Sequence, residues 1–306
     1  MKKIAVVGSM NMDYVLQVSH MPKVGETLLS RDLKMVPGGK GANQAYAAGK
    51  LGGHVTMLGA VGADGAGETL CENLKAAGVE TGRIKRAARE PTGSAFICVD
   101  STGNNSIVAA QGANLTVDLP YLQENLEVLL TCDILVLQLE IPLETVVFAT
   151  KMAKEHGKLV ILDPAPARQD LPPELYACID FLKPNEVEAA QLAGVPEGNP
   201  EAAAAALLEK GAQNVLITLG GEGAFLLEKS GKKTYFSAPK DLPVVDTTAA
   251  GDCFTAAFAC RLAAGESAEE AVRFAISASS LSVTRKGAQT SLPTLDEVER
   301  WGKGSC

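Results

Sequence analysis

Apolar residues fall along this chain in short runs set between stretches of small residues, and that alternation predicts an α/β protein. Ile4-Ala5-Val6-Val7 is an apolar run closed by Gly8-Ser9, the pattern of a buried strand that delivers polar residues, here Asn11 and Asp13, at its carboxyl end. From Gly41 onward small-residue helices alternate with apolar strands: a helix over 43–51, a strand over 55–60 and a helix over 67–77. The beat resumes with a strand over 134–139, a helix over 143–155, strands over 159–162 and 215–219, and a helix over 188–192 between them. Such βαβ units favour a doubly wound, mostly parallel sheet flanked by helices. Residues 252–264 and 268–281 read as two Ala-rich apolar helices, the first stopped by Gly265, and the alanine run 202–206 is a good helix former.

Two regions break the beat. Residues 13–36, and 94–99 with 106–110, carry Thr, Val and Ile around the turn signal Thr102-Gly103-Asn104-Asn105 and have no helical partners. They predict a small separate sheet, built from approximately 13–36 and 94–110, on a single α/β domain spanning 1–306.

With 306 residues, 46% hydrophobic and 21% charged, the chain can bury a large core. Its net charge of −8 provides no broad basic field, so neither a nucleic acid nor an anionic membrane is expected as partner, and any phosphate site must be built locally. The basic start Met1-Lys2-Lys3 precedes an apolar run too short for a signal peptide, and no stretch approaches a membrane span. Seven scattered cysteines without a Cys-x-x-Cys pair read as reduced thiols of a cytoplasmic protein.

Several chemistries lack their motifs. There is no Gly-x-x-x-x-Gly-Lys-Ser/Thr phosphate loop, no Gly-x-Gly-x-x-Gly after the first strand and no Gly-x-Ser-x-Gly elbow, and His20, His54 and His156 stand without metal-ligand spacing. Catalysis therefore falls to carboxylates, amides, Lys or Arg. Val245-Asp246-Thr247-Thr248-Ala249-Ala250-Gly251-Asp252-Cys253-Phe254 leads into an apolar helix whose first turn leaves backbone N–H groups uncovered, a site for negative charge. Asp252 beside it is placed to accept a proton from an attacking hydroxyl, although acids are common in first turns for helix stability alone. Gly38-Gly39-Lys40-Gly41-Ala42-Asn43-Gln44-Ala45 opens another small-residue helix, with Lys40 and Asn43 able to bind hydroxyls, or is a hinge turn. Thr218-Leu219-Gly220-Gly221-Glu222-Gly223 suits a phosphate or nucleotide site and equally a glycine-rich hairpin. Glu140 ends a buried strand, where ligands of open α/β sheets collect.

Together with Gly8-Ser9-Met10-Asn11-Met12-Asp13, Lys183-Pro184-Asn185-Glu186 and Thr284-Arg285-Lys286-Gly287-Ala288-Gln289, these motifs resemble, in order and spacing and across essentially the whole chain, those of the PfkB-type, or ribokinase-family, carbohydrate kinases. The resemblance implies a main α/β domain with a β-sheet lid whose strands clasp a second subunit in a homodimer. It implies that Asn11, Asp13, Gly39, Lys40, Asn43 and Glu140 hold sugar hydroxyls, that Asp252 deprotonates the attacking one, and that Ala249, Ala250 and Gly251 form an anion hole. By the same resemblance Asn185 and Glu188 organise Mg2+ and the phosphates of ATP, while Thr218, Gly220, Gly221, Glu222, Gly223 and Gly251 line the nucleotide site. An activating K+ site maps onto Asp246, Thr248, Ser282, Arg285, Gly287 and Ser291, several acting through backbone carbonyls. The chain departs from many relatives in having Ala249 where they have glycine, and Cys253 after the proposed base is assigned no role beyond a buried thiol. The implied reaction moves the γ-phosphate of ATP to the 5-hydroxyl of D-ribose, giving D-ribose 5-phosphate and ADP. The same chemistry on 2-deoxyribose, another sugar or a nucleoside is the alternative, as is a non-catalytic sugar sensor on a kinase scaffold.

Overall fold

In the computed structural model, residues 2–30 and 32–304 are described, so the start at Met1, Arg31 within the 13–36 segment and the thiol of Cys306 lie outside the described residues. The large sheet has eight strands in the order Lys233–Ser237, Gly223–Glu228, Asn214–Thr218, Phe181–Leu182, Leu159–Leu162, Ile134–Leu137, Lys3–Val7 and His54–Leu58. From Asn214–Thr218 to His54–Leu58 neighbouring strands run parallel, and the two strands at the other end pair antiparallel.

The apolar runs of the sequence become strands because both faces of the sheet are covered. Ile4, Val6, Ile134, Val136 and Leu216 pack on one face, under the helices Lys40–Lys50, Ala250–Ala264 and Ala268–Ser282. Ala5, Val7, Leu135, Leu137, Val215 and Ile217 pack on the other, against helices that include Leu143–Glu155 and Pro200–Glu209. An uninterrupted apolar strand is what such a doubly covered parallel sheet requires. Ala250–Ala264 is buried along most of its length, and its alanines admit close approach of both neighbouring helices. Phe258 on it meets Phe181 edge-on at 4.9 Å and 78°, a geometry worth about 0.5–1.5 kcal/mol beyond the area buried.

A second sheet of four strands, in the order Leu33–Gly38, Asn11–Gln17, Gly93–Val99 and Asn105–Ala110, stands apart from the first. The mostly parallel doubly wound architecture with a small separate sheet is thus as the sequence pattern indicates. The two regions meet at Ser9 and Met10, where the chain leaves Lys3–Val7 and enters Asn11–Gln17. There Gly8 packs against Gly41 so closely that a Cβ on Gly41 would lie 2.6 Å from the Gly8 carbonyl carbon and the Ser9 nitrogen.

Some boundaries differ from the sequence reading. The segment over 55–60 divides into His54–Leu58 and Ala60–Gly62, the latter pairing with Lys85–Ala87 in a two-stranded sheet. Residues 13–36 are not continuous strand, since pairing stops at Gln17 and resumes at Leu33. The helix expected from residue 252 begins at Ala250, because Ala249 in the left-handed region (φ 60) makes the turn, and Gly265 at φ 91 ends it as expected. Thr218–Gly223 is part of a hairpin: Asn214–Thr218 pairs antiparallel with Gly223–Glu228 across a single 3₁₀ turn, Gly220–Glu222. Among the described residues no helix is long and apolar enough to cross a membrane. Cys71, Cys98, Cys132, Cys178, Cys253 and Cys260 are free, with Cys253 fully buried.

Candidate active site

Two adjoining clefts open at the carboxyl ends of the parallel strands, where open α/β sheets bind ligands. The larger, of about 720 Å³, is lined by Asn185, Thr218, the 220–223 turn, Ala250, Gly251 and Val283 among others. The smaller, of about 230 Å³, is lined by Lys40, Asp163, Lys183, Glu188, Ala249 and Asp252, and shares Asn185, Thr218, Thr247 and Gly251 with its neighbour. The glycine-rich hairpin is therefore both a hairpin and a cleft wall.

Asp252 sits at the junction, on the third residue of Ala250–Ala264, and is 5% exposed. Its Oδ2 accepts from Asn43 Nδ2 at 2.9 Å and its Oδ1 from Gln44 Nε2 at 3.0 Å. Burial pushes its carboxyl up to about 6, with Lys40 and the two amides opposing the shift and Asp163 adding to it. A group half-ionised near pH 6 is matched to proton acceptance at neutral pH.

On the small-sheet side, the first turn of Lys40–Lys50 gathers the other sugar candidates. Gly39 precedes the helix at φ 88, where a Cβ would lie 2.7 Å from the Asn11 nitrogen, so glycine alone suits this approach. Glu140 Oε2 accepts from the Lys40 amide at 3.1 Å and from Ser9 Oγ at 2.5 Å. Asn11 Oδ1 accepts from Asn114 Nδ2 at 2.7 Å. Asp13 faces Val36 in the small-sheet register and lies against Gly38, and its carboxyl is pushed up to about 7 by burial, then by Glu140 and Asp252. Burial opposes the Lys40 charge, but Asp252, Asp163 and Glu140 outweigh it and hold the ammonium above its ordinary value. A half-buried cation among carboxylates, rimmed by amides, is a site for an uncharged polyhydroxy ligand.

On the cleft side, Asn185 and Glu188 form a reciprocal cap on Glu186–Ala193: Asn185 Oδ1 accepts from the Glu188 amide at 2.8 Å, and Glu188 Oε2 from the Asn185 amide at 2.9 Å. Burial raises the Glu188 carboxyl despite that amide. Ala250–Ala264 has no side-chain cap, and the exposed Gly251, where a Cβ would meet Lys183 Nζ at 3.7 Å, keeps its backbone within reach of the cleft. Of the expected anion-hole donors, the Ala250 amide is engaged with the Thr247 carbonyl at 3.2 Å. This leaves the first-turn amides beyond it to face a ligand.

A family model described as "pfkB family carbohydrate kinase" matches residues 1–295. The chain belongs to that family. The carbohydrate-kinase chain is 42% identical over 299 residues to a ribokinase of Bacillus subtilis, covering 98% of this chain and 99% of that one. It is 37% identical over 302 residues to a deoxyribokinase of Salmonella typhi, covering 97% and 98%. The structure of an Arabidopsis thaliana ribokinase complexed with ribose and ATP superposes with a TM-score of 0.92 at 36% identity, covering 98% of each chain.

In this carbohydrate kinase the residues assigned to a monovalent cation are also gathered, around a loop pinned by Asp246. That carboxylate accepts from the Thr248 amide at 3.0 Å and hydroxyl at 2.6 Å and from the Gly287 amide at 2.9 Å. These bonds outweigh the upward push of burial and lower its pKa. Ser282 and Ser291 spend their hydroxyls on the carbonyls of Ser279 and Ala288, and Arg285 pairs with Glu297 at 2.8 Å. The side chains of Asp246, Thr248, Ser282, Arg285 and Ser291 are thus committed within the protein.

The sequence reading did not single out Asn114, Gln138 or Asp163, and took Ser9, Gln44, Lys183 and Gln289 only as parts of motifs. Lys183 Nζ lies 3.1 Å from Asp163 Oδ2 and 3.3 Å from the Gly251 carbonyl, at 3% exposure for the residue. The usable signal was placement: Gln44 follows Asn43 in the helix-opening motif, and Asp163 directly follows the strand Leu159–Leu162 as Glu140 follows Ile134–Leu137.

Proposed function

We propose that the protein is a ribokinase, transferring the γ-phosphate of ATP to the 5-hydroxyl of D-ribose. The observation that carries this is Asp252: one buried carboxylate at an uncapped helix start, between a hydroxyl-binding cluster and a large cleft walled by a glycine-rich turn. Sugar hydroxyls bind Asn11, Asp13, Glu140 and the Lys40 and Asn43 side chains, with the acceptor hydroxyl directed at Asp252. The hydroxyl proton passes to Asp252, the sugar oxygen bonds the γ-phosphorus, and the bond from that phosphorus to the bridging oxygen breaks to release ADP. The first-turn amides at Gly251 and Asp252 and the Lys40 ammonium face the charge that develops on the transferring group.

Mg2+ held by the ATP phosphates would neutralise their charge. The residues fit such a guest: Glu188, with an oxygen beyond its cap bond, borders the smaller cleft. This suits an ion that arrives on its nucleotide and keeps its waters. The carbonyls around Asp246, Ser282 and Gly287 fit K+ as an activator that steadies the loop before Ala249. For the small sheet we propose a lid that closes over the sugar and joins two subunits. Leu33, Met35, Phe96, Ile107 and Val108 support it, all about half or more exposed on this sheet.

The test is ADP release from Mg-ATP with D-ribose, 2-deoxyribose, fructose or adenosine, in potassium or sodium salts. Ribose-dependent turnover raised by potassium is expected. Preference for deoxyribose would move the substrate, and sugar binding without ADP release would make the protein a sensor.

A further inference from the structure

Asp252 is held by two consecutive residues of one helix, and each of those is held by a glutamine from elsewhere. Asn43 donates to Oδ2 and Gln44 to Oδ1. Behind Asn43, Gln289 Nε2 donates to Asn43 Oδ1 at 3.0 Å, and Gln289 Oε1 in turn accepts from Asn73. Behind Gln44, Gln138 Nε2 donates to Gln44 Oε1 at 2.6 Å. Gln44, Gln138, Asn43 and Gln289 are all buried.

The direction of these bonds follows from charge. Gln44 Nε2 also donates to Asp163 Oδ2 at 2.8 Å, so the same end of one amide faces two carboxylates. Only its NH2 can point there; its oxygen then points away and needs a donor, which Gln138 supplies. Gln138 meets that need with its own Oε1 buried and without a partner among the described residues. A buried acceptor left unpaired is costly, and here it is the consequence of turning the NH2 inward.

We propose that Gln44, with Gln138 behind it, and Gln289, through Asn43, are positioning residues that lock the two amides with their N–H groups toward Asp252, and so fix the base's orientation and keep it ionised for proton acceptance. The inference rests on Asp252 as the base of the proposed reaction. Hydrogen bonds donated to a carboxylate favour its charged form, opposing the burial that pushes Asp252 up to about 6. The other charges facing it are Lys40 from the helix that carries Asn43 and Gln44, Asp163 and Lys183 beyond Leu159–Leu162 and Phe181–Leu182, and Asp13 and Glu140 from the sugar side.

The test reads Asp252 directly and does not depend on turnover. The full-length protein is labelled with 13C at the aspartate carboxyl carbon, Asp252 is assigned by its loss in Asp252→Asn, and its chemical shift is titrated in the parent, Gln44→Met and Gln289→Met. Removing the donor bond in Gln44→Met is expected to move the Asp252 midpoint up by about one pH unit, with a smaller rise in Gln289→Met, where Asn43 is merely freed to turn. In Gln44→Met the acid limb of kcat is expected to follow the midpoint while the KM for ribose changes by less than about threefold. An unchanged midpoint in both variants, or in Gln289→Met alone if Gln44→Met does not fold, overturns the inference, as does a kcat reduced equally at every pH. A parent that turns over no sugar would refute the ribokinase proposal, and the titration would still decide this one.

Discussion

Ala250–Ala264 and Ala268–Ser282 are antiparallel neighbours of 15 residues each, and each carries a carboxylate at its third position, yet the two are built to opposite ends. Ala268–Ser282 begins with a reciprocal cap in which the Ser267 hydroxyl accepts from the Glu270 amide and the Glu270 carboxylate accepts from the Ser267 amide and hydroxyl. The Ser267 hydroxyl and amide hold the exposed Glu270 carboxyl below its ordinary value. Ala250–Ala264 has no side-chain cap, begins on an alanine in the left-handed region, and buries an acid pushed up to about 6. One helix satisfies its own first turn; the other leaves amides and a proton acceptor for a ligand. Forgoing a cap costs about 1 kcal/mol, which the packing of the rest of Ala250–Ala264 against two helices and the sheet offsets.

Exchanging single acids for amides separates the base from the sugar contacts. Asp252→Asn is nearly isosteric and is expected to lower kcat by about 10²–10⁴-fold in the ADP-release assay, with ribose binding by calorimetry retained. An active Asn variant would remove Asp252 as the base. Asp13→Asn, on the sugar side in strand Asn11–Gln17, is expected to raise the KM for ribose by about 10–100-fold.

The same substitution carries a stability signature. Asp13 and Asp252 have folded-state pKa values raised from 3.8 to about 7 and about 6, so the folded state binds more protons than the unfolded chain between pH 4 and 7. Stability contributed by these two acids therefore falls as pH rises through that window. The melting temperature of Asp13→Asn is expected to match the parent at pH 4 and exceed it above pH 7. In the parent, kcat/KM is expected to fall about tenfold per pH unit below the Asp252 midpoint, because only the ionised base accepts a proton.

The smaller effects lie in the backbone. Ser267→Ala is expected to lose about 0.5–2 kcal/mol in chemical denaturation with kinetic constants unchanged, the reverse of the Asp252 result. Ala249→Gly relieves a left-handed alanine but loosens the unfolded chain, for a net gain below about 1 kcal/mol by the same measurement.

The contrast between the helices also explains what the sequence made legible. Apolar runs such as Ile4 to Val7 announced their strands because both faces are covered, and Gly265 announced a helix end because its left-handed turn favours glycine. Ala249 makes an equally unusual turn, but alanine carries no such signal, so the helix start was placed two residues late. The antiparallel strands Gly223–Glu228 and Lys233–Ser237 were missed because the glycines before them satisfy a ligand loop and a hairpin alike. Asp252 and Lys40 lie within local motifs and could be proposed from them, with their roles supplied by family resemblance. The amides around Asp252 could not: Gln44 and Gln138 are 94 positions apart, and Asn43 and Gln289 are 246 apart. Such pairings leave no local trace in composition or periodicity.

The back-to-back approach of Gly8 and Gly41 has a consequence for redesign. A Cβ on Gly8 would overlap Gln138 Oε1, and one on Gly41 would strike the backbone of Gly8 and Ser9. A library seeking new acceptor sugars should therefore hold both positions invariant and draw its diversity from Asn11, Asp13 and the exposed positions of the small sheet. Variation at the seam would displace the helix that carries the sugar contacts together with the amides that hold the base, and specificity and rate would be lost in a single step.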